Sequence, residues 1–319
     1  MNQNDRFREA LAKIAEVTSA AFNGDDYREE NYEHNNSGAE DTLLPDEHSC
    51  TLKSLPTRLL VAGAKNAVEI NPVNALVLGP LAEVAMAGDL IMEPQRIAVL
   101  TGKYWGPEPR RLTVSFMEST PADLRSRIIS HLNAWTRTGC IEFLETQGAG
   151  DIRIARGAGG YWSYLGTDIT LIPRDRPTMN LERFTMNTPE AEFKRVVRHE
   201  AGHTLGFPHE HMRRLLIARI EPEKAYEYFR RTQGWDRRTV DQQVLTPLDE
   251  RTIMSTPADQ TSIMCYQLPG SITRDGRPIT GGVDINQSDY DFVGRIYPRR
   301  GREPVAEQGS EWDQEYAAA

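Results

Sequence analysis

Residues 199–209 read HEAGHTLGFPH, a stretch that places three histidines, one glutamate and one conformationally free glycine at fixed intervals. On a helix, His199 and His203 lie one turn apart on the same face, so both imidazoles can reach one ion. Gly206 adopts a positive φ without steric cost, which lets the chain turn sharply and bring His209 back to that ion. The spacing therefore predicts a zinc site built from three histidines.

The residue after the first histidine, Glu200, projects toward the same cavity and predicts catalysis. Three neutral nitrogens leave one coordination position open, whereas structural zinc sites usually close with a fourth protein ligand. Zinc lowers the pKa of a bound water, and Glu200 would accept its proton and pass it to a leaving amine. The alternative is a zinc-binding pseudo-enzyme or recognition module, although a purely structural site has no need of this base.

The sequence upstream of the motif alternates between strand and helix patterns, which predicts an α+β domain. One helix should cover 120–137, with Thr120 as N-cap and Pro121 in its first turn. A second long helix should begin at Thr188 and end at Gly206. Strand patterns cover 112–117, 141–144, 151–155 and 161–172, and weaker ones cover 57–62 and 75–78. The half after Pro208 reads as loops and short helices.

Composition excludes several classes of protein. The 319 residues include 39% hydrophobic and 26% charged side chains, which is enough for a folded core. A net charge of −9 and the lack of a long basic tract argue against nucleic-acid binding. No apolar run approaches the roughly 18–20 residues of a membrane span, so we expect no membrane association. The start, MNQNDRFREALAKIAEV, is charged where a signal peptide is apolar, which favours a cytoplasmic chain or leaderless export over secretion.

The residues around the motif resemble the astacin family of metzincin zinc metallopeptidases. The resemblance includes Gly206-Phe207, His209-Glu210-His211, the Met-containing turn 262–266 (SIMCY) and the segment 161–166 (YWSYLG). It covers roughly 95–300. It implies a zincin-like catalytic domain with a twisted mixed sheet, two long helices and a zinc cleft, acting as an endopeptidase on peptide or protein substrates. Glu210 and Tyr266 argue against a matrixin-like branch.

The resemblance also implies a role for each matching residue. The three histidines bind one Zn²⁺, and the glutamate is the general base. Met264 forms an apolar floor under the metal, and Tyr266 is a further zinc ligand that swings away to hydrogen-bond the oxyanion. Glu210 would contact a mature N-terminus, and the substrate would lie antiparallel to the strand 161–172. The family's two disulfides are not possible here, because the chain has only three cysteines.

We divide the chain into an N-terminal region (1–96), a peptidase domain (97–300) and a disordered tail (301–319). The first region is a possible inhibitory pro-segment, released by cleavage near Arg96-Ile97. Related zymogens cap zinc with the aspartate of a Phe-x-Gly-Asp element, and Asp89 in MAGD is preferred over Asp25 in FNGD. Cys50, as a thiolate, is a third candidate for the same role.

Two arginines after the Met-containing turn, Arg274 and Arg277, lie where related enzymes shape the pocket beyond the scissile bond. They suggest a mild preference for acidic side chains, with two exposed loop arginines as the alternative.

Overall fold

The computed structural model describes residues 50–75, 102–247 and 258–299. Within these ranges the strands are β1 (Thr51–Lys53), β2 (Arg110–Phe116), β3 (Ile141–Glu145), β4 (Ile152–Ala155), β5 (Tyr161–Tyr164) and β6 (Met179–Leu181). The α-helices are α1 (Thr57–Ile70), α2 (Ala122–Leu132), α3 (Glu190–Glu192), α4 (Arg198–Thr204), α5 (Arg214–Ile217), α6 (Pro222–Gln233), α7 (Arg237–Val240) and α8 (Gln287–Ile296). A π-helical stretch, Phe193–Val197, joins α3 to α4.

The six strands form one mixed sheet in the order β1-β5-β6-β4-β2-β3. Strand β5 runs antiparallel to β6, whereas the other pairs, including β1 with β5, are parallel. The predicted α+β class with a mixed sheet is therefore confirmed. Strand β1 forms one edge of this sheet, and β5 lies directly beside it.

Two hydrophobic clusters flank the motif. The larger one fills the space between the sheet and helices α2 and α4, with Val114, Ile128 and Phe143 completely buried. The smaller one is built around Phe229 of α6 and includes Cys50. The motif lies where these clusters meet, so its side chains are enclosed from both sides.

Several strand and helix predictions are confirmed and others are wrong. The strands predicted over 112–117, 141–144 and 151–155 are present as β2, β3 and β4. The strand predicted over 57–62 is instead the start of α1. Its buried positions are the small residues Gly63, Ala64 and Ala67, so no stripe of large apolar residues marks this helix. The strand predicted over 75–78 lies almost wholly outside the described residues, as does the tail predicted to be disordered.

The predicted strand 161–172 is split in two. Strand β5 ends at Tyr164, and a 3₁₀ helix follows over Gly166–Leu171. Gly166 has φ +46°, and a Cβ there would lie 1.9 Å from the Lys103 carbonyl oxygen, so the chain bends where only glycine fits. The N-cap prediction is also wrong, because Pro121 precedes α2 and the Thr120 hydroxyl donates to the Glu118 carbonyl.

In the part of the chain that the structure describes, no helix is both long and apolar enough to cross a bilayer.

Candidate metal centre

Helix α4 carries the first two histidines and is fixed at both ends by tryptophans. The indole N–H of Trp135 donates to the Arg198 carbonyl, and that of Trp105 donates to the Thr204 carbonyl, each at 2.8 Å. The π-helical stretch before α4 shifts the register of the helix just ahead of the motif, a distortion that is frequent at functional sites. The helix ends as predicted, since Gly206 has φ +96° and turns the chain back.

Backbone carbonyls orient two imidazoles. The Nδ1 atom of His199 lies 2.6 Å from the Ile263 oxygen, and Nδ1 of His203 lies 2.7 Å from the Phe207 oxygen. A carbonyl only accepts, so both Nδ1 atoms carry the proton and both Nε2 atoms keep a free lone pair. The Nε2 of His203 also lies 2.9 Å from Nε2 of His209, a repulsive approach unless a proton or cation is shared.

Four ligand atoms come together at this point. One atom from each of His199, His203, His209 and Cys50 lies within 4.8 Å of the other three, and all four residues are buried. Burial lowers the pKa of His199 to about 4 and holds the pKa values of His203 and His209 well below the usual value. The imidazoles are therefore neutral, which is the form that binds metal. A set of three nitrogens and one sulfur fits one tetrahedral zinc ion.

Glu200 faces the same space from the helix. It is completely buried, and neither carboxylate oxygen makes a hydrogen bond of normal length to any described residue. Burial raises its pKa to about 8, although the neighbouring Cys50 and Arg195 act in the opposite direction. A buried carboxyl group with a raised pKa beside three histidines is typical of a general base.

The predicted Met-containing turn closes the site from below. Met264 is buried, and a Cβ on Gly202 would lie 2.3 Å from its sulfur, so the methionine packs directly under α4. Asp289 anchors the turn, accepting from the Ser262 hydroxyl at 2.6 Å and from the Ile263 amide at 3.0 Å.

The prediction from sequence missed this aspartate. Its signal was the stretch Asn286-Gln-Ser-Asp289, a capping box at the start of α8.

Tyr266 also reaches the site. Its ring stacks on His211 at 4.2 Å between centroids and packs against His209 at 4.3 Å. Burial, and then the neighbouring Cys50 and Glu200, raise the pKa of Tyr266 well above its usual value, so the phenol keeps its proton.

Glu210 lies nearby, accepting the Asp259 amide at 3.1 Å. Burial raises the pKa of this carboxyl group to about 7.

A cavity of about 610 Å³ opens beside the metal ligands. Its polar lining includes Arg195, whose guanidinium forms two hydrogen bonds with Glu192 at 3.0 and 2.7 Å. Arg274 instead pairs with Glu221 at 2.7 Å. The suggested preference of Arg274 and Arg277 for acidic side chains is thus a prediction without support from the lining of this cavity.

The candidate inhibitory residues separate into two groups. Asp89 and Asp25 lie outside the described residues, so the preference for Asp89 stays a prediction. Cys50, the third candidate, lies among the three histidines. None of Cys50, Cys140 and Cys265, all of which are described, forms a disulfide.

Comparisons with known proteins agree with this geometry. The family model of Astacin (Peptidase family M12A) matches residues 100–270. A curated relative, zinc metalloproteinase nas-27 of Caenorhabditis elegans, is 29% identical over 100 residues, which are 31% of this chain and only 21% of that protein.

Two solved structures are also similar. A structure of myroilysin has a TM-score of 0.58 and 29% identity, covering 62% of this chain and 97% of that one. High choriolytic enzyme 1, a hatching enzyme zinc-protease of the medaka Oryzias latipes, has a TM-score of 0.42 and 21% identity, covering 60% and 90%. With a family model matched over more than half its length and the histidine site in place, this chain belongs to the astacin family of zinc metallopeptidases.

Proposed function

We propose that the chain is a zinc-dependent endopeptidase whose general base is Glu200 and whose latent form is closed by Cys50. One observation carries the proposal, namely the enclosure of three neutral histidines, a thiol and a carboxyl group in one buried cluster. Zinc, when bound, supplies a Lewis acid that polarises the scissile carbonyl and acidifies water. The surrounding side chains would transfer the proton, stabilise the oxyanion and bind the substrate.

Proton transfer falls to Glu200. Its carboxyl group is buried beside the three histidines, where it can take a proton from water and return it to the leaving amine. Tyr266 remains protonated, so its hydroxyl can donate to the oxygen that becomes negative in the transition state. The further role of Tyr266 as a zinc ligand is part of the same proposal.

Substrate binding is assigned to strand β5. Without β1, this strand is the edge of the sheet, and an extended peptide can add to it through backbone hydrogen bonds. In the latent chain this place belongs to Thr51–Lys53, which pairs with Trp162–Tyr164.

The direction of that segment supports latency. Strand β1 runs parallel to β5, whereas the substrate is expected to run antiparallel. The segment thus brings a thiol to the ligand cluster without presenting a peptide bond in the productive direction. With zinc bound, the Cys50 thiolate would take the position that water needs.

The test uses the zinc-loaded full chain before and after limited trypsin treatment. Activated protein should hydrolyse an extended fluorogenic peptide, lose activity to a chelator and regain it with zinc. Glu200→Gln should lower kcat by about 10²–10⁴-fold while zinc content stays at one per chain. The matched control is Glu142→Gln, which changes a half-exposed glutamate of β3.

Before trypsin treatment, Cys50→Ala should be more active than wild type, although β1 still covers β5 and keeps its activity below that of the cleaved enzyme. If uncleaved Cys50→Ala is no more active than uncleaved wild type, the thiol is not the inhibitory ligand and Asp89 becomes the leading candidate. If activated wild type and Glu200→Gln bind zinc but are equally inactive, the pseudo-enzyme alternative is correct.

A further inference from the structure

Among the described residues, the side chain that holds the outer edge of strand β1 is that of Gln243. The Leu52 amide donates to Oε1 of Gln243 at 3.0 Å, and Nε2 of Gln243 donates to the Leu52 carbonyl at 3.3 Å. On its inner edge the same strand pairs with β5, with Leu52 opposite Ser163. Strand β1 is therefore hydrogen-bonded on both sides, by strand β5 on one side and by the side-chain amide of Gln243 on the other.

Gln243 is held in place independently of the strand that it contacts. It lies in a π-helical turn, Asp241–Leu245, whose Val244 is completely buried in the smaller hydrophobic cluster. Its own carbonyl accepts from Nε2 of His211 at 3.0 Å.

The ring of His211 in turn stacks on Tyr266 of the metal site. The carboxamide thus starts from a backbone position fixed relative to the catalytic residues, so less conformational freedom is lost when it binds a peptide.

The bonding pattern does not depend on chain direction. In an extended residue the N–H and the C=O point to the same side of the strand, whichever way the chain runs. An amide side chain has one acceptor and one donor, so it can satisfy both groups at once. The pair that Gln243 makes with Leu52 can therefore also form with a substrate lying antiparallel to β5.

We propose that Gln243 is a substrate-positioning residue, which binds the backbone of an extended peptide on the side opposite strand β5. This inference rests on the proposed peptidase function. It predicts a substrate class, namely extended peptides with a free backbone N–H at the position that Leu52 occupies, two residues from the thiol at the metal site. Proline or an N-methylated residue lacks that hydrogen and is disfavoured there.

Kinetics of the trypsin-activated zinc enzyme test the proposal. Gln243→Leu should raise KM for an extended peptide by about 5- to 100-fold through the loss of two hydrogen bonds, with kcat changed by less than about 2-fold. The matched control is Gln242→Leu, since Gln242 is the same residue type one position away and is exposed. Control and wild type should have the same KM.

A second peptide separates binding of substrate from general damage to the fold. N-methylation at the contacted position should raise KM for wild type by about 2- to 10-fold and leave Gln243→Leu unaffected, because its partner is already absent. Equal penalties in both proteins would overturn the proposal, as would an unchanged KM in Gln243→Leu.

The latent full chain gives a readout that needs no activity. Hydrogen exchange at the Leu52 amide should be faster in Gln243→Leu than in wild type and unchanged in Gln242→Leu. If the activated enzyme cleaves no peptide, the peptidase proposal fails, and anisotropy of a labelled extended peptide replaces KM. Equal affinities of wild type and Gln243→Leu would then show that Gln243 serves only the latent strand, which overturns the inference.

Discussion

Replacing Gly202 by alanine tests whether Met264 supports the metal site by direct contact. A Cβ at Gly202 would lie 2.3 Å from the Met264 sulfur and 3.2 Å from Cζ2 of Trp135. Comfortable contacts are about 3.5–4.0 Å, so the sulfur must retreat by more than about 1 Å. Met264 is only 4% exposed and Trp135 only 2%, so neither can move into solvent.

Two opposing effects determine how much Gly202→Ala changes the free energy of unfolding. Overpacking of a core costs about 1–3 kcal/mol, and an overlap of this size belongs at the upper end. Alanine in place of glycine inside α4 returns about 1 kcal/mol through helix propensity. We expect a net loss of about 2 kcal/mol, which lowers Tm by roughly 4–8 °C for a domain of this size.

Zinc affinity should fall as well. Ile263, next to Met264 in the turn, supplies the carbonyl that orients His199. Displacing this turn disturbs a partner of a metal ligand, which typically costs about 10–100-fold in metal affinity.

Thermal unfolding of the metal-free protein and zinc competition titrations measure the two effects. Gly148→Ala is the control, because nothing lies within 4 Å of a Cβ there and Tm should stay equal or rise slightly. Gly202→Ala with Met264→Ala should cost at least about 1 kcal/mol less than the sum of the single changes. A Gly202→Ala protein as stable as wild type, or strictly additive costs, would refute the contact.

Three further predictions concern other contacts of the described chain. Tyr266→Phe should lower kcat of the activated enzyme by about 10²–10³-fold with KM unchanged, and a change confined to KM would contradict donation to the oxyanion. Lys103 and Asp168 form a buried ion pair at 3.2 Å, so Lys103→Met should cost about 3–5 kcal/mol in urea unfolding, partly restored by adding Asp168→Asn. Burial would raise the pKa of Asp259, but hydrogen bonds, first from Ser288, outweigh it and lower the pKa to about 2. This folded pKa lies below the unfolded value of about 3.9, so the stabilisation is complete above that pH and is lost as pH falls toward 2. Asp259→Asn should flatten the dependence of Tm on pH between about pH 4 and pH 2. An unaltered slope in that range would argue against a stabilising role of the Asp259 carboxylate.

The metal ligands on the motif were predictable because their geometry is local. His199 and His203 depend only on the helical repeat, and His209 depends on the positive φ of Gly206, which is found. Strands β2, β3 and β4 were predictable for a similar reason, since apolar runs between turn residues mark them directly.

What the sequence could not predict depends on distant contacts. Cys50 ranks only third among the inhibitory candidates from sequence, because it meets His199 across about 150 residues and no local pattern in HSCTLKS indicates the encounter. The apolar run TRLLVA predicts a strand at the start of α1, whereas the buried positions that mark the helix, Gly63, Ala64 and Ala67, are small residues with a weak hydrophobic signal.

Gln243 lay in a region without recognisable pattern. Its proposed role follows from its hydrogen bonds to Leu52 and from the pairing of β1 with β5, neither of which sequence alone determines.

The place of β1 at the sheet edge also bears on solubility. An open edge of unpaired N–H and C=O groups is a template for strands of other molecules and thus for aggregation. While Thr51–Lys53 pairs with β5, the edge of that strand is covered and does not offer this template. Release of the segment would expose it on every molecule at once, in a strand of only four residues, Tyr161–Tyr164. Until it is released, the short strand β1 would therefore prevent pairing between copies of this chain. After its release, the same edge of β5 would be open to peptide substrates.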